Sequence, residues 1–317
     1  MKRWFNIATY KLAYGFWYVV SLLPFCVLYV LSDFFYFLLA HVIRYRQRVI
    51  WKNLTESFPD KSESELKQIK KDFYHWFCDY IVETLKLMSM TPEQLQRRMQ
   101  FKNTEKIIEL LRQEKSCAIY LGHYCNWEWI TSLPYWVPKN VQCCQLYHPL
   151  ENEAFDRLFK NVRERQHAVC VPMQESLRKI LAFKKQKQSI IIGYIADQVP
   201  LWWNIHHWVD FLHHDTPVLT GAERIARRTD QACFYGDLRR VKRGYYTCEF
   251  IPIELEPAAT KEFEITDTYF HLLEQTILRE PALWLWSHNR WKRTREEFNR
   301  DWEEVGGKVV RKEKNRP

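Results

Sequence analysis

The residues best suited to chemistry lie in a short segment whose character changes in its middle. The run Cys117–Leu121 is wholly apolar and rich in strand formers, and Gly122 closes it. Residues 123–128 then bring a His, a Glu, an Asn and two aromatic rings together within six positions. Because α/β folds bind ligands just beyond the ends of buried strands, His123 and Glu128 stand where a general base and its carboxylate partner would stand.

The spacing of this pair carries little information by itself, because His148 and Glu153 repeat it. Pro149 follows His148 and favours an extended chain or a turn, which would hold that imidazole away from a helix start. His123 instead precedes a segment that we expect to be helical, so that Glu128, one turn into the helix, can fold back toward the imidazole. A carboxylate in that position fixes the tautomer and the orientation of a basic His.

Motifs for other kinds of catalysis are missing from the sequence. It contains no G-x-S-x-G nucleophile elbow, and its eight Gly form no glycine-rich phosphate loop. A His/Glu pair without such a nucleophile favours direct transfer, in which His123 deprotonates an acceptor hydroxyl. Cys125 is interpreted as a packed thiol, since nothing else basic is placed to lower its pKa. The nine Cys include no C-x-x-C pair, which argues against a disulfide scaffold and favours a reducing compartment.

Charge and hydrophobicity point to a membrane surface. The formal net charge is +9 over 317 residues, but residues 1–52 hold seven Lys and Arg against one Asp, and residues 290–317 hold ten against six acidic residues. Residues 16–43 are the most apolar stretch and are long enough to span a bilayer, although Pro24 and Asp33 complicate a straight span. We predict an anchor at an anionic bilayer surface that either spans the membrane or lies partly in the interface.

Beyond the anchor, the pattern predicts a helical section and then an α/β domain. Ser62 with Glu65, and Thr91 with Gln94, are typical of helix starts. From Ser116 onward, strands and helices alternate, as in a sheet wrapped by helices. The predicted strands are Cys117–Leu121 and residues 141–147, 168–171 and 189–195, with two more inside 232–255. The predicted helices cover residues 153–166, 175–187, 216–228 and 267–279. The expected parts are a membrane anchor at 1–52, a helical section at 53–100, and an α/β domain at 101–317 with a basic, solvated tail from residue 293.

Two other classes of function have features in their favour. The net positive charge would suit a membrane-tethered nucleic-acid-binding protein, although such proteins usually carry a basic stripe across the folded domain. The loop with His206, His207, His213 and His214 would suit a metal-dependent hydrolase, but its two adjacent pairs lack the i, i+4 spacing of helical metal ligands. Trp202 and Trp203 precede the first pair and Trp208 follows it, so an interfacial aromatic loop is favoured. We expect neither a nucleic-acid partner nor a metal.

The segment HYCNWE, residues 123–128, resembles the H-x4-[D/E] block of the lipid A biosynthesis acyltransferases, whose usual text is close to HFGNWE. These are the lauroyl and myristoyl transferases of the lysophospholipid acyltransferase superfamily. The agreement extends to a Trp-rich loop that ends in Phe211 and to four further blocks in the same order. The blocks are YHP at 147–149, ADQVP at 196–200, TPVLTGAERIAR at 216–227 and PALWLWSHNRWK at 281–292. One departure is Cys125, where the family commonly has Gly.

The resemblance implies an α/β acyltransferase with a mixed central sheet flanked by helices, anchored to the cytoplasmic face of the bacterial inner membrane. Such an enzyme moves a fatty acyl chain from acyl carrier protein, its co-substrate and partner, to a hydroxyl of a lipid A precursor without a cofactor. His123 would be the general base and Glu128 its orienting partner, while Asn126 and Trp127 match positions that shape the acceptor pocket. Another membrane lipid, such as an aminolipid or a lysophospholipid, stays open as the acceptor.

The resemblance also indicates where the substrates bind. Arg163 and Arg165 match the place where the family has an Arg near the site; one would contact the oxyanion or a phosphate, and the other would be a solvated charge. Asp197 and Gln198 follow the predicted strand 189–195, at the edge where ligands bind in such sheets. The expected substrate contacts are Tyr124, Asn126, Trp127, Tyr147, Arg163, Arg165, Asp197 and Gln198.

Overall fold

The computed structural model describes residues 2–313; Met1, at the start of the predicted anchor, and residues 314–317, at the end of the predicted tail, lie outside the described residues. The α-helices are α1 Lys2–Leu22, α2 Phe25–Phe37, α3 Gln47–Ser57, α4 Glu63–Lys86, α5 Pro92–Arg98, α6 Thr104–Arg112, α7 Glu153–Glu164, α8 Ser176–Lys185, α9 Gly221–Thr229, α10 Glu264–Arg279 and α11 Arg295–Asp301. The strands are β1 Met99–Lys102, β2 Cys117–Leu121, β3 Gln142–Tyr147, β4 Val169–Pro172, β5 Ile190–Ile195, β6 His207–Phe211, β7 His214–Val218, β8 Ala232–Lys242, β9 Tyr245–Glu254, β10 Trp302–Val305 and β11 Lys308–Arg311.

Seven strands form one mixed sheet in the order β1-β9-β8-β2-β5-β3-β4. The five strands from β8 to β4 run parallel to one another, whereas β9 is antiparallel to β8, and β1 runs parallel to β9. Every residue of β2 is buried, as expected for a parallel strand that helices cover on both faces. The predicted α/β fold with a mixed central sheet flanked by helices is confirmed.

Side-chain caps explain where two of the helices begin. Ser62 Oγ accepts the backbone N–H of Glu65 at 3.3 Å, and Glu65 Oε2 accepts the N–H of Ser62 at 2.8 Å, so that α4 starts with a complete capping box. Thr91 and Gln94 form the same reciprocal pair at the start of α5. Both helix starts predicted from the sequence are confirmed.

One predicted helix is shorter in the structure. The helix predicted over 216–228 begins only at Gly221, because residues 216–218 pair with β6 as the end of β7. The predicted solvated tail is mostly exposed, and it is also folded as far as residue 313: α11 is followed by an antiparallel β10–β11 hairpin. Trp302 of that hairpin stacks on Trp202 at a centroid distance of 6.2 Å, which attaches it to the loop before β6.

The apolar residues 16–43 form two helices instead of one. They meet at Leu23 and Pro24, and Pro24 is suited to precede a first helical turn because it has no N–H to leave unpaired. A π-helical turn, Leu38–Val42, continues α2. Within the described chain, the segment Phe25–Val42 is long and apolar enough to cross a membrane, by length and composition. It is a candidate membrane anchor.

Candidate active site

The register of two neighbouring strands brings His123 and Asp197 together. β2 and β5 run parallel, and Leu121 is paired with Ile195. His123 and Asp197 each follow that pair by two residues, so both leave the sheet at the same edge. This is the carboxyl edge of the parallel strands, where open α/β sheets bind ligands.

His123 is held by a buried carboxylate. Its Nδ1 lies 2.6 Å from Asp197 Oδ1, and its backbone N–H donates to Oδ2 at 2.8 Å. Trp284 Nε1 donates to the same Oδ2 at 2.8 Å. The His123 side chain is 21% exposed, whereas that of Asp197 is 2% exposed. The imidazole is therefore oriented from the protein interior and open to a substrate.

Asp197 is ionised in this arrangement. Burial alone would raise the pKa of its carboxyl, but the charge of His123 and the hydrogen bonds from His123 and Trp284 lower it to about 2. Because an ionised carboxylate only accepts hydrogen bonds, Nδ1 of His123 is the donor. The neutral ring then carries its lone pair on Nε2, which lies 3.3 Å from the amide nitrogen of Gln198. An acceptor hydroxyl that replaced this amide would meet an oriented general base.

Glu128 contacts Arg163 and does not take the place beside His123 that the sequence leads us to expect. Arg163 Nε donates to Glu128 Oε2 at 2.9 Å, and Nη2 donates to Oε1 at 2.5 Å. This bidentate pair uses both carboxylate oxygens. Burial would lower the pKa of the Arg163 guanidinium, but the charge and hydrogen bonds of Glu128 raise it, so Arg163 stays charged.

The turn at Cys125 explains why Glu128 is directed elsewhere. Cys125 has a φ of +57°, in the left-handed region that favours Gly, and its N–H donates to the carbonyl of Leu283 at 2.8 Å. The following helix is a 3-10 helix, Trp127–Tyr135, with Asn126 as its cap, so Glu128 is not one α-helical turn from His123. A left-handed residue with a side chain costs about 1–2 kcal/mol, which gives a physical reason for the Gly that is common here. The Cys125 thiol is buried, and burial raises its pKa well above the usual range.

An aromatic segment near the C-terminal end of the chain, residues 281–292, borders the site. Tyr124 forms an antiparallel bridge with Trp284, the residue that also binds Asp197. His288 Nε2 accepts the N–H of Val199 at 3.3 Å. Burial lowers the pKa of His288 to about 4, so this ring is neutral and can act as the acceptor. The segment thereby fixes both the carboxylate and the loop that follows it.

Two of the predicted substrate contacts, Asn126 and Trp127, also contact other residues of the protein. Asn126 Nδ2 donates to the buried carboxylate of Glu83 at 2.6 Å, which attaches the turn to α4. The ring of Trp127 stacks on Tyr80 at 4.1 Å and meets the ring of His123 edge to face at 5.1 Å. Trp127 is thus the aromatic neighbour of the imidazole, and Asn126 supports the turn beneath it.

The remaining predicted contacts divide between the site edge and other positions. Tyr147 is the last residue of β3, the strand next to β5, so it lies at the same edge of the sheet. Tyr124 is buried, and its hydroxyl donates to the carbonyl of Glu280 at 3.2 Å, which indicates a packing role. Arg165 follows the last residue of α7 with an exposed side chain, and it is Arg163 that binds Glu128.

The sequence-derived set omits three residues of this site. Trp284 and His288 lie inside the block PALWLWSHNRWK, so the segment was detectable, but nothing in its pattern singles out the indole that binds Asp197. Glu83 lies on α4, a helix to which the sequence assigns packing alone. A buried carboxylate on an amphipathic helix has no distinctive spacing, and only the fold reveals its partners.

The His-rich loop does not assemble a metal site. His207 Nε2 lies 2.6 Å from Asp267 Oδ1, whereas His214 stacks on Trp291 at 3.8 Å, so the two rings serve separate contacts. Among residues 2–313, no group of three or more His, Cys, Asp and Glu side chains is placed to hold a metal ion. These contacts attach the β6–β7 hairpin to α10 and to the aromatic segment.

The model of the family described as bacterial lipid A biosynthesis acyltransferase matches residues 2–293. The chain belongs to this family. The matched region contains His123, Asp197 and the aromatic segment, and membership supports an acyltransferase in lipid A biosynthesis. A search of curated proteins found no match for this chain.

Proposed function

We propose that this protein transfers a fatty acyl chain from acyl carrier protein to a hydroxyl of a lipid A precursor, with His123 as the general base. The observation that carries the proposal is a partly exposed imidazole whose Nδ1 is held by the ionised Asp197 at a strand edge, in a chain of an acyltransferase family. The proposal keeps the base expected from the sequence and gives the orienting role to Asp197.

The reaction needs one proton carrier and no covalent enzyme intermediate. The acceptor hydroxyl, within about 3 Å of Nε2, gives its proton to His123 while its oxygen attacks the thioester carbonyl carbon. The tetrahedral intermediate then collapses, the carbon–sulfur bond breaks, and the imidazolium returns the proton to the departing thiolate. The products are the ester of the acceptor and the free thiol of the carrier protein, so atoms and charges balance.

Arg163 is the candidate for stabilising negative charge. Its guanidinium has five N–H groups, and two of them bind Glu128, which leaves donors for a developing oxyanion or for a phosphate of the acceptor. Glu128 then acts as a positioning residue, because it fixes the plane of the guanidinium. In this proposal Tyr147, Trp127 and Gln198 line the acceptor side, and Arg165 is a solvated charge.

Replacing His123 with Ala tests the base. We expect H123A to lose acyl transfer by about two to four orders of magnitude, since a positioned general base contributes that much, while the thermal unfolding midpoint stays near that of the wild type. The matched control is H271A, because His271 is an exposed residue of α10 that contacts Gln275 of the same helix. Transfer is measured with acyl carrier protein thioester and a lipid A precursor. Substantial activity in H123A would eliminate His123 as the base.

Lipid profiling tests the acceptor. Mass spectrometry of lipids from strains with and without the gene should show a lipid A species that lacks one acyl chain when the gene is deleted. A change confined to an aminolipid or a lysophospholipid would keep the chemistry and replace the acceptor. The cytoplasmic face of the inner membrane, which we propose as the location, follows from the choice of acyl carrier protein as donor and is supported by the apolar N-terminal helix.

A further inference from the structure

Both ends of the candidate span are attached to the same folded domain. Before α2, Trp17 Nε1 donates to the carbonyl of Leu85 at 2.9 Å, and Lys86 Nζ donates to the carbonyl of Ser21 at 2.8 Å. After it, the hydroxyl of Tyr74 donates to the carbonyl of Tyr45 at 2.6 Å. A helix of 18 residues is about 27 Å long, so a crossing would place these two attachments on opposite sides of the bilayer.

The contacts along α2 show that it lies antiparallel to α4 over its whole length. Tyr29 OH donates to Glu83 at 2.9 Å, and Ser32 Oγ donates to Asp79 at 2.6 Å. Further along, the ring of Tyr36 stacks on His75 at 3.5 Å. A crossing α2 would have to leave these partners or carry α4, with its ionisable residues, into the hydrocarbon.

A third polar contact lies near the middle of the apolar segment. Arg243 Nη2, from the turn between β8 and β9, donates to Asp33 at 2.7 Å and to Asp79 at 2.6 Å. In a crossing helix, Asp33 would lie near the centre of the bilayer, where a carboxylate is costly. In the structure it is instead paired at the surface of the domain.

The opposite face of α1 and α2 is apolar and exposed. Only 17% of the segment Phe25–Val42 is buried. Along α2 the exposed residues follow helical steps of three and four, and α1 carries a similar row. This apolar face, with side chains between 40% and 75% exposed, consists of Leu12, Phe16, Val19, Leu22, Val27, Val30, Phe34, Phe37, Val42 and Ile43. Exposed apolar rows of this kind are typical of an interaction site.

Basic residues border the apolar face. Arg44, Arg46 and Arg48 are exposed immediately after Ile43, and Lys11 is exposed on α1. Cations that follow an apolar helix face suit the headgroups of an anionic leaflet, because the rings and aliphatic chains enter the acyl region while the charges meet phosphates. A second copy of the chain would instead bring like charges together at the same border.

We infer that α1 and α2 lie in one leaflet of an anionic bilayer without crossing it, so that the domain rests on that leaflet by its apolar face. The site is also tied to this border, since Arg46 Nη1 donates to the carbonyl of Ser287, next to His288 in the aromatic segment. The catalytic edge is thereby connected to the level of the headgroups. This inference concerns placement on the membrane and does not depend on the proposed reaction.

Cys26 provides a natural probe, because it is exposed on α2 while the other eight Cys are buried. The intact protein carries an NBD fluorophore on Cys26, or on F34C in a C26S background, and is added to preformed vesicles of phosphatidylethanolamine and phosphatidylglycerol. Digestion of the domain by protease added outside verifies its orientation. The matched control is R112C in the same C26S background, since Arg112 is exposed at the end of α6.

The labels at positions 26 and 34 distinguish a helix that lies in one leaflet from a helix that crosses the bilayer. In one leaflet, the labels at 26 and 34 should be quenched to a similar extent by spin-labelled lipids of the same depth, and external dithionite should bleach both. The label at 112 should be bleached by dithionite and should not be quenched by the spin-labelled lipids. A crossing helix would place position 34 at the depth of the bilayer centre and protect position 26 from dithionite, which would overturn the inference. Labels that respond equally with and without vesicles would overturn it as well, and would indicate self-association if the protein elutes as a dimer.

Discussion

The ionised carboxylate of Asp197 acts on His123 in two ways: it fixes the proton on Nδ1, and it favours the imidazolium that the base must become. Replacing Asp197 with Asn removes the charge and permits the other tautomer, so we expect acyl transfer to fall by about two to four orders of magnitude. Steady-state measurement of kcat/KM checks this loss.

The variant E128Q is the matched comparison, because it makes the same change from carboxylate to amide in the same site. Glu128 binds Arg163, so E128Q should lower activity less than D197N does, because it loosens the guanidinium and leaves His123 with its carboxylate partner. If E128Q lost more activity than D197N, the two carboxylates would have to exchange roles, and the pairing expected from the sequence would be restored.

For single residues, the sequence identifies which residues lie in the site better than it identifies which of them contact one another. His123, Asp197 and Gln198 were all predictable, because each follows an apolar run that reads as a buried strand. Which carboxylate reaches the imidazole depends on the left-handed turn at Cys125, and a Cys gives no sign of that backbone conformation. A Gly at this position would have signalled it.

Among the elements, α4 carries a carboxylate, Glu83, that joins three other segments of the chain. Glu83 accepts hydrogen bonds from Tyr29 of α2, Tyr246 of β9 and Asn126 of the turn after His123. Burial is the main influence on its pKa, with the charge of Asp79 adding to it, and together they raise the pKa to about 7 despite these three hydrogen bonds. The carboxyl is therefore protonated more readily in the folded protein than in the unfolded chain.

This raised pKa predicts a pH-dependent stability. The contribution of Glu83 is complete below its unfolded pKa of 4.5 and is lost as pH rises through about 7. The difference corresponds to about 3 kcal/mol at 1.36 kcal/mol per pKa unit. The thermal midpoint of the wild type should therefore fall relative to that of E83Q between pH 5 and pH 8. The exposed Glu105 supplies the control, E105Q, whose midpoint should run parallel to the wild type; parallel curves for E83Q would contradict the assignment to Glu83.

The central strands β2 and β5 were predictable because they are apolar runs bounded by polar or turn residues, and α4 and α5 were predictable because their caps are explicit. The helix predicted from residue 216 shows where this reasoning ends. Thr216 and Val218 suit a strand as well as a helix start, and the pairing with β6 decides between them. The fold of α11 and the β10–β11 hairpin was not predictable from charge-rich sequence, since its packing rests on Trp202 and Trp302 across a long separation.

For the whole molecule, the predicted anchor is packed against the folded domain and is not the separate segment that its composition implies. Within the apolar segment, Tyr29, Ser32, Asp33 and Tyr36 occupy positions i, i+3, i+4 and i+7, so they form one polar helix face. That face contacts α4 and Arg243, while the apolar face stays outside. Mean hydropathy averages the two faces of the helix and therefore predicts a membrane span. Reading the residues at helical spacing separates the faces and shows that the polar one packs against the domain.

Deleting residues 1–43 should consequently destabilise the protein instead of releasing a soluble domain. Leu28 is fully buried, and its burial contributes about 1.5–3 kcal/mol to the free energy of unfolding. The buried ammonium of Lys86 would also lose the two carbonyls that accept its hydrogen bonds. Losses of this size approach the ~5–15 kcal/mol that stabilise a typical domain. We expect the truncated chain to aggregate or to unfold tens of degrees lower in detergent. The control is the full chain with V30S, F34S and F37S, which changes only exposed side chains and should keep its midpoint while binding vesicles less tightly. A truncated protein that is monodisperse and melts with the wild type would show that the anchor is a separate unit.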